Sequence, residues 1–169
     1  MPAVTKEILS QAVAAIGAMS LHQRELLLDE VRARQSNLLY SVLATRRFEV
    51  TYEQLEVVLN ILLVCFQSMK LTGRQFKVID ELMQERCLGR ITGRMRFLEG
   101  LSLEQKSVAA NTAITEHPEI WLFAFAFNHL STHGLMGIRT DAEKYLVLAA
   151  LNVVECIAEA VQPAAKVKK

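Results

Sequence analysis

Apolar residues recur at three- and four-residue spacing along most of the 169-residue chain, the period of a helix with one buried face. Five times a Ser or Thr precedes such a run and is followed three residues later by Gln or Glu: Ser20/Gln23, Thr51/Gln54, Thr72/Gln75, Ser102/Gln105 and Thr140/Glu143. This is the capping-box spacing. The hydroxyl accepts from an otherwise unpaired helical N–H, and the Gln or Glu reaches back to the N–H of the cap residue. The pattern predicts an all-α chain of eight or nine helices packed as a compact bundle.

The first helix is expected from Thr5 to near Gly17, the second over Leu21–Gln35 and the third from Ser36 to near Arg47. The fourth, Tyr52 to near Met69, confines its polar residues Glu53, Glu56, Asn60 and Gln67 to one stripe, so neighbours must enclose the rest. A fifth helix is expected over Gly73–Leu88, with Phe76, Ile79, Met83 and Cys87 in register. Gly89 should break it, because continuing would place Arg90 and Arg94 on its apolar side. A short sixth helix then presents Ile91, Met95 and Leu98 and stops at Gly100. The seventh runs from the Ser102 cap to near Glu116. The eighth starts at Pro118, with Glu119 in its first turn, and ends at His133 before Gly134. The ninth covers Asp141 to near Val161, leaving residues 162–169 as a disordered basic tail.

One segment tests the helical reading. Trp121 to Phe127 places an aromatic ring on every second residue, a strand-like alternation. With no second strand to pair with it, a helix is favoured, with Trp121/Phe125 and Phe123/Phe127 as ring pairs.

The order of signals repeats. Aligning Met19–Phe48 with Leu101–Leu130 superimposes Ser20 on Ser102 and Gln23 on Gln105; short insertions then bring Thr51 to Thr140 and Asn60 to Asn152. An internal duplication is inferred, with repeat units 19–69 and 101–161 joined by a connector at 70–100. The two long apolar helices would meet near a pseudo-two-fold axis. Residues 1–161 form one domain on this reading, and Asn60 and Asn152 could bond across the long pair.

Composition narrows the function classes. Hydrophobic residues make up 51% and charged residues 22%, a balance that suits an ordered globule with an apolar face to spare. The net charge is +1 and becomes −2 without Lys166, Lys168 and Lys169 of the tail, so no broad basic field marks a nucleic-acid binder. Cys65, Cys87 and Cys156 are odd in number and widely spaced, which disfavours a disulfide framework and fits a reducing, cytoplasmic setting. The continuous apolar runs Val57–Phe66 and Ile120–Phe127 fall short of a bilayer's roughly 20 residues, so no membrane insertion is expected.

Candidate chemistry is sparse. Arg86, Arg90, Arg94 and Arg96 cluster without intervening acids, with Lys70, Arg74 and Lys77 upstream, and could bind an anion or an acidic partner. Asp80, Glu81 and Glu85 could equally neutralise them within the chain. Trp121 and Phe125 could line an apolar ligand pocket. His129 and His133, four apart, could chelate a metal with help from Glu116, His117 or Asp141, or could cap the helix end. No nucleophile elbow or glycine-rich phosphate loop is present, and no cofactor is implied. The expectation is a non-enzymatic interaction protein whose partner is a second copy or another protein, associating through an apolar helix face. A small-ligand or metal-binding protein using the aromatic helix 118–133 and its His pair is the alternative.

Overall fold

Helix caps set where the rods begin. The computed structural model describes residues 1–161; the expected basic tail at 162–169 lies outside the described residues. The chain folds as α1 (Lys6–Ala18), α2 (Leu21–Arg34), α3 (Ser36–Leu43), a 3₁₀ turn (Ala44–Phe48) and α4 (Tyr52–Leu71). It continues as α5 (Glu81–Leu98), α6 (Leu103–Thr115), α7 (Ile120–Thr132), a 3₁₀ turn (Leu135–Gly137) and α8 (Asp141–Ala160). Ser20, Thr51 and Ser102 form reciprocal capping boxes with Gln23, Gln54 and Gln105, every bond between 2.8 and 3.2 Å. At α8 the box is displaced by one residue. Thr140 accepts from the Glu143 amide at 3.1 Å, but the Glu143 carboxylate reaches the amide and guanidinium of Arg139.

The fifth box does not form. Thr72 is the C-cap of α4: its hydroxyl donates to the Met69 carbonyl at 2.7 Å and accepts from the Arg74 amide at 3.1 Å. The chain then turns through Gly73, at φ +65, and runs extended to Asp80, which caps α5 by accepting from the Met83 amide at 2.8 Å. A Thr and a Gln three apart fit the box only when a helix follows, and here the hydroxyl satisfies the end of the previous one. This 73–80 strap is pinned by an isolated antiparallel bridge between Phe76 and Val161.

The expected break at Gly89 is also absent. α5 passes uninterrupted through Gly89 and Gly93, both facing open space, because Arg90 and Arg94 meet acidic residues of α8 rather than apolar side chains. α7 starts at Ile120, two residues later than the Pro118 start expected, and Trp121–Phe127 is helical throughout. Its rings stack on histidines: Phe123 on His117 at 4.6 Å and Phe125 on His129 at 5.5 Å.

At the centre α4 and α8 pack against each other. Residues 61–66 of α4 and 150–157 of α8 are buried without interruption, so over these stretches both helices are covered on every side. α1, α3 and α7 supply the cover on α4, and α5, α3, α7 and both 3₁₀ turns supply it on α8. α4 is long and apolar enough to cross a membrane, beyond the shorter runs visible in the sequence, and just over half of its most apolar stretch is buried in this core. Three helices, a 3₁₀ turn and a long buried helix occur twice in order; α5 packs on α8 as α1 packs on α4, and α6 on α7 as α2 on α3. The 70–100 stretch is thus no mere connector but holds the strap and a packed helix.

Leu62 is fully buried, whereas Leu103 at the start of α6 is 87% exposed. Leu62→Ala should lower unfolding free energy by about 3 kcal/mol. Leu103→Ala should change it by less than about 0.5 kcal/mol, both read from urea denaturation midpoints.

Candidate functional site

A dense polar cluster lies between α5 and α8. On α8, Asn152, Glu155, Cys156 and Glu159 follow helical spacing along one side. On α5, Gln84, Cys87, Arg90 and Arg94 do the same. Glu155 is buried; the Arg94 guanidinium stands 2.6 Å from its Oε1, that of Arg90 3.8 Å from its Oε2, and His117 Nε2 3.3 Å from Oε1. Burial alone would raise the Glu155 carboxyl, but His117 and Arg94 outweigh it and hold the group below the ordinary carboxylate range. Glu159 is gripped by Arg86 and by Arg90 at 2.8 Å, and these guanidiniums bring its carboxyl down to about 2.

Three members of the predicted arginine cluster therefore pair within the chain, sharing two carboxylates. Their partners are not Asp80, Glu81 or Glu85, which share their helix or its cap, but acids some 60 to 70 positions later. Arg96 alone of the four makes no ion pair among the described residues, and it is exposed.

Two residues of this cluster carry roles the sequence did not reveal. Glu119 is buried, and its carboxylate accepts from the amides of Ala3 at 2.7 Å and Val4 at 3.0 Å, clamping the N-terminal segment to the bundle. Its own amide donates to His117 Nδ1 at 3.0 Å. With Nδ1 accepting that bond, the ring turns Nε2 toward Glu155 Oε1 at 3.3 Å, where no hydrogen bond is completed. The only advance signal was the placement of two ionisable residues around Pro118 in a short connection. Chemically, the cluster joins the loop before α7, the middle of α5 and the core helix α8 through compensated charge.

His129 and His133 do lie on one side of α7, ring centroids 4.5 Å apart. Together with Arg24 of α2 and Glu53, Glu56, Val57 and Asn60 of α4, they line an open cleft of about 380 Å³. Asn60 Nδ2 donates to His129 Nε2 at 3.3 Å, and His133 Nδ1 donates to the His129 carbonyl at 2.8 Å. Burial, with His133 adding to it, lowers the pKa of His129, which favours the neutral ring. Glu116, His117 and Asp141 do not line this cleft. Among the described residues no three His, Cys, Asp or Glu side chains converge as a metal site.

Trp121 and Phe125 stand apart from the cleft. Lys6 places its ammonium 5.9 Å from the Trp121 ring, and Phe125 is stacked on His129. The anticipated Asn60–Asn152 bond is not made, since Asn152 donates to the Gln84 carbonyl at 3.2 Å. The three cysteines are free and buried. Burial pushes Cys65 up to about 12 and raises Cys87 and Cys156 as well, which suppresses the reactive thiolate.

No family model matches the chain, and no curated protein or solved structure is significantly similar to it.

Glu159 titrates lower in the folded chain than its ordinary value of 4.5, so the unfolded chain binds the extra proton between those limits. The stabilisation is complete above pH 4.5 and is lost as the pH falls through about 2. Glu159→Gln should be less stable than the parent at pH 7 and should lose less of its remaining stability between pH 5 and 2. Urea midpoints across that range measure the difference.

Proposed function

We propose that the chain is a non-enzymatic helical interaction protein that self-associates through the outward face of α5. The observation that carries this reading is one strip of that helix. Leu82, Gly89, Gly93 and Phe97 fall within about 80° of arc at 100° per residue, an arc that also holds Arg86, drawn toward Glu159 of α8. Leu82 is 69% exposed and Phe97 76% exposed, and nothing stands within 4 Å of where a Cβ on either glycine would sit. An exposed Leu and Phe flanking two glycines let a second helix approach closely and bury both apolar side chains.

Charge favours a second copy as the occupant. Glu81 and Glu85, exposed near the N-terminal end of α5, and Arg96, exposed near its C-terminal end, make no ion pairs among the described residues. Two copies crossing antiparallel at Gly89 and Gly93 bring the acidic end of each against the basic end of the other. A nucleic-acid partner finds less support, because Arg86, Arg90 and Arg94 are already engaged in ion pairs with Glu155 and Glu159.

Light scattering on the size-exclusion eluate should give a dimer mass at about 100 μM chain. Phe97→Ser should weaken association at least about tenfold while leaving the circular dichroism unchanged. A parent chain that stays monomeric at that concentration overturns self-association.

A further inference from the structure

We propose that the cleft between the C-terminal ends of α2 and α4 and the 73–80 strap binds a small molecule that carries an anionic group on an apolar body. The cleft holds about 430 Å³, within the range of small-ligand pockets. Phe66 and Met69 lie beneath it, Phe76 and Val78 form one wall, and Arg34, Lys70 and Arg74 supply the charge. Among the described residues, no acidic one lines it.

The three cations do not have equal structural duties. Arg34 and Lys70 sit in the last turns of α2 and α4, where cations complement the carbonyl ends of a helix. Both also pair with Glu30, at 3.0 and 2.6 Å, and Arg34 lies over the Phe66 ring. Arg74 lies beyond the end of α4 and makes no ion pair among the described residues. Against one carboxylate the site therefore presents three cations, and the surplus faces a cleft with an apolar wall. A guanidinium beside half-buried aromatic surface suits a carboxylate attached to a hydrocarbon, each half recognised by a different part of the site.

The wall is preformed rather than assembled by the ligand. Gln35, buried, accepts from the Ile79 amide at 2.9 Å and donates to the Lys77 carbonyl at 3.0 Å. Asn37 donates to the Ile79 carbonyl at 3.0 Å, and the Lys77 amide donates to the Ala160 carbonyl at 2.9 Å. Arg74, Gln75, Phe76 and Val78 of this segment all line the cleft. A backbone held at both amides and carbonyls spares a ligand the cost of ordering it.

Titration calorimetry of the full chain with decanoate tests the site, with 1-decanol and inorganic phosphate as the two half-ligand controls. Decanoate should saturate one site per chain, and each control should bind at least about tenfold more weakly. Arg74→Glu, at an exposed position, should weaken decanoate at least about tenfold with the circular dichroism unchanged. Val78→Asp, also exposed, should weaken it through the apolar wall. No saturable binding of decanoate, decanol binding as tightly as decanoate, or an unaltered affinity in Arg74→Glu overturns the proposal. The outcome is independent of self-association, because the cleft lies on the strap and not on the outward face of α5.

Discussion

Two helices whose middle stretches cannot meet water on any side govern this structure. α4 and α8 bury uninterrupted stretches of six and eight residues, so each needs neighbours around its full circumference. Fully burying one Leu, Ile, Val or Phe contributes about 1.5–3 kcal/mol, and α4 alone buries Leu55, Val58, Ile61, Leu62, Leu63, Val64 and Phe66. The remaining helices and turns are arranged by that demand. α1, α3 and α7 close round α4, and the 3₁₀ turns after α3 and α7 both pack on α8. α6 buries no residue completely and rests on α7 alone among the larger contacts, so it is the element least fixed by the core.

Enclosing α8 brings an electrostatic obligation. Glu155 lies in the middle of its buried stretch, and an ionised carboxylate there is tolerable only with cations and donors around it. Arg94, Arg90 and His117 provide them, which explains how α5 can carry three arginines toward the bundle while burying only Met83, Cys87 and Ile91 completely. α5 is consequently held by these ion pairs as well as by apolar packing, and its opposite face is left open to solvent. The two functional proposals follow from the same division of surface: where cations are matched they bind helices together, and where Arg74 and Arg96 are unmatched the surface is available to something else.

Helix number and most helix starts were legible in the sequence. Hydroxyl caps and the 3.6-residue period are local properties, and Ser20, Thr51, Ser102 and Thr140 each begin a helix where the spacing placed them. The same local rule misread Thr72, because a Thr at the last turn of one helix and at the first turn of the next present the same residues. Gly89 was misread for a related reason. Its helix propensity argues for a break, but the arginines that made a break attractive are stabilised by Glu155 and Glu159, which no local window contains.

Of the candidate sites, the sequence identified residues better than relationships. His129 and His133 share a helix face because their spacing requires it, yet their neighbours Glu53, Glu56 and Asn60 come from α4, far away in the chain. Glu119 resembled an ordinary first-turn acid and became the clamp on Ala3 and Val4. Periodicity and capping are set by backbone geometry within a few residues, so the sequence by itself determined an all-α chain and most of its rods. Which charges meet, which histidine is buried and which cations remain unmatched depend on contacts between distant segments. Only the tertiary packing around α4 and α8 decided those.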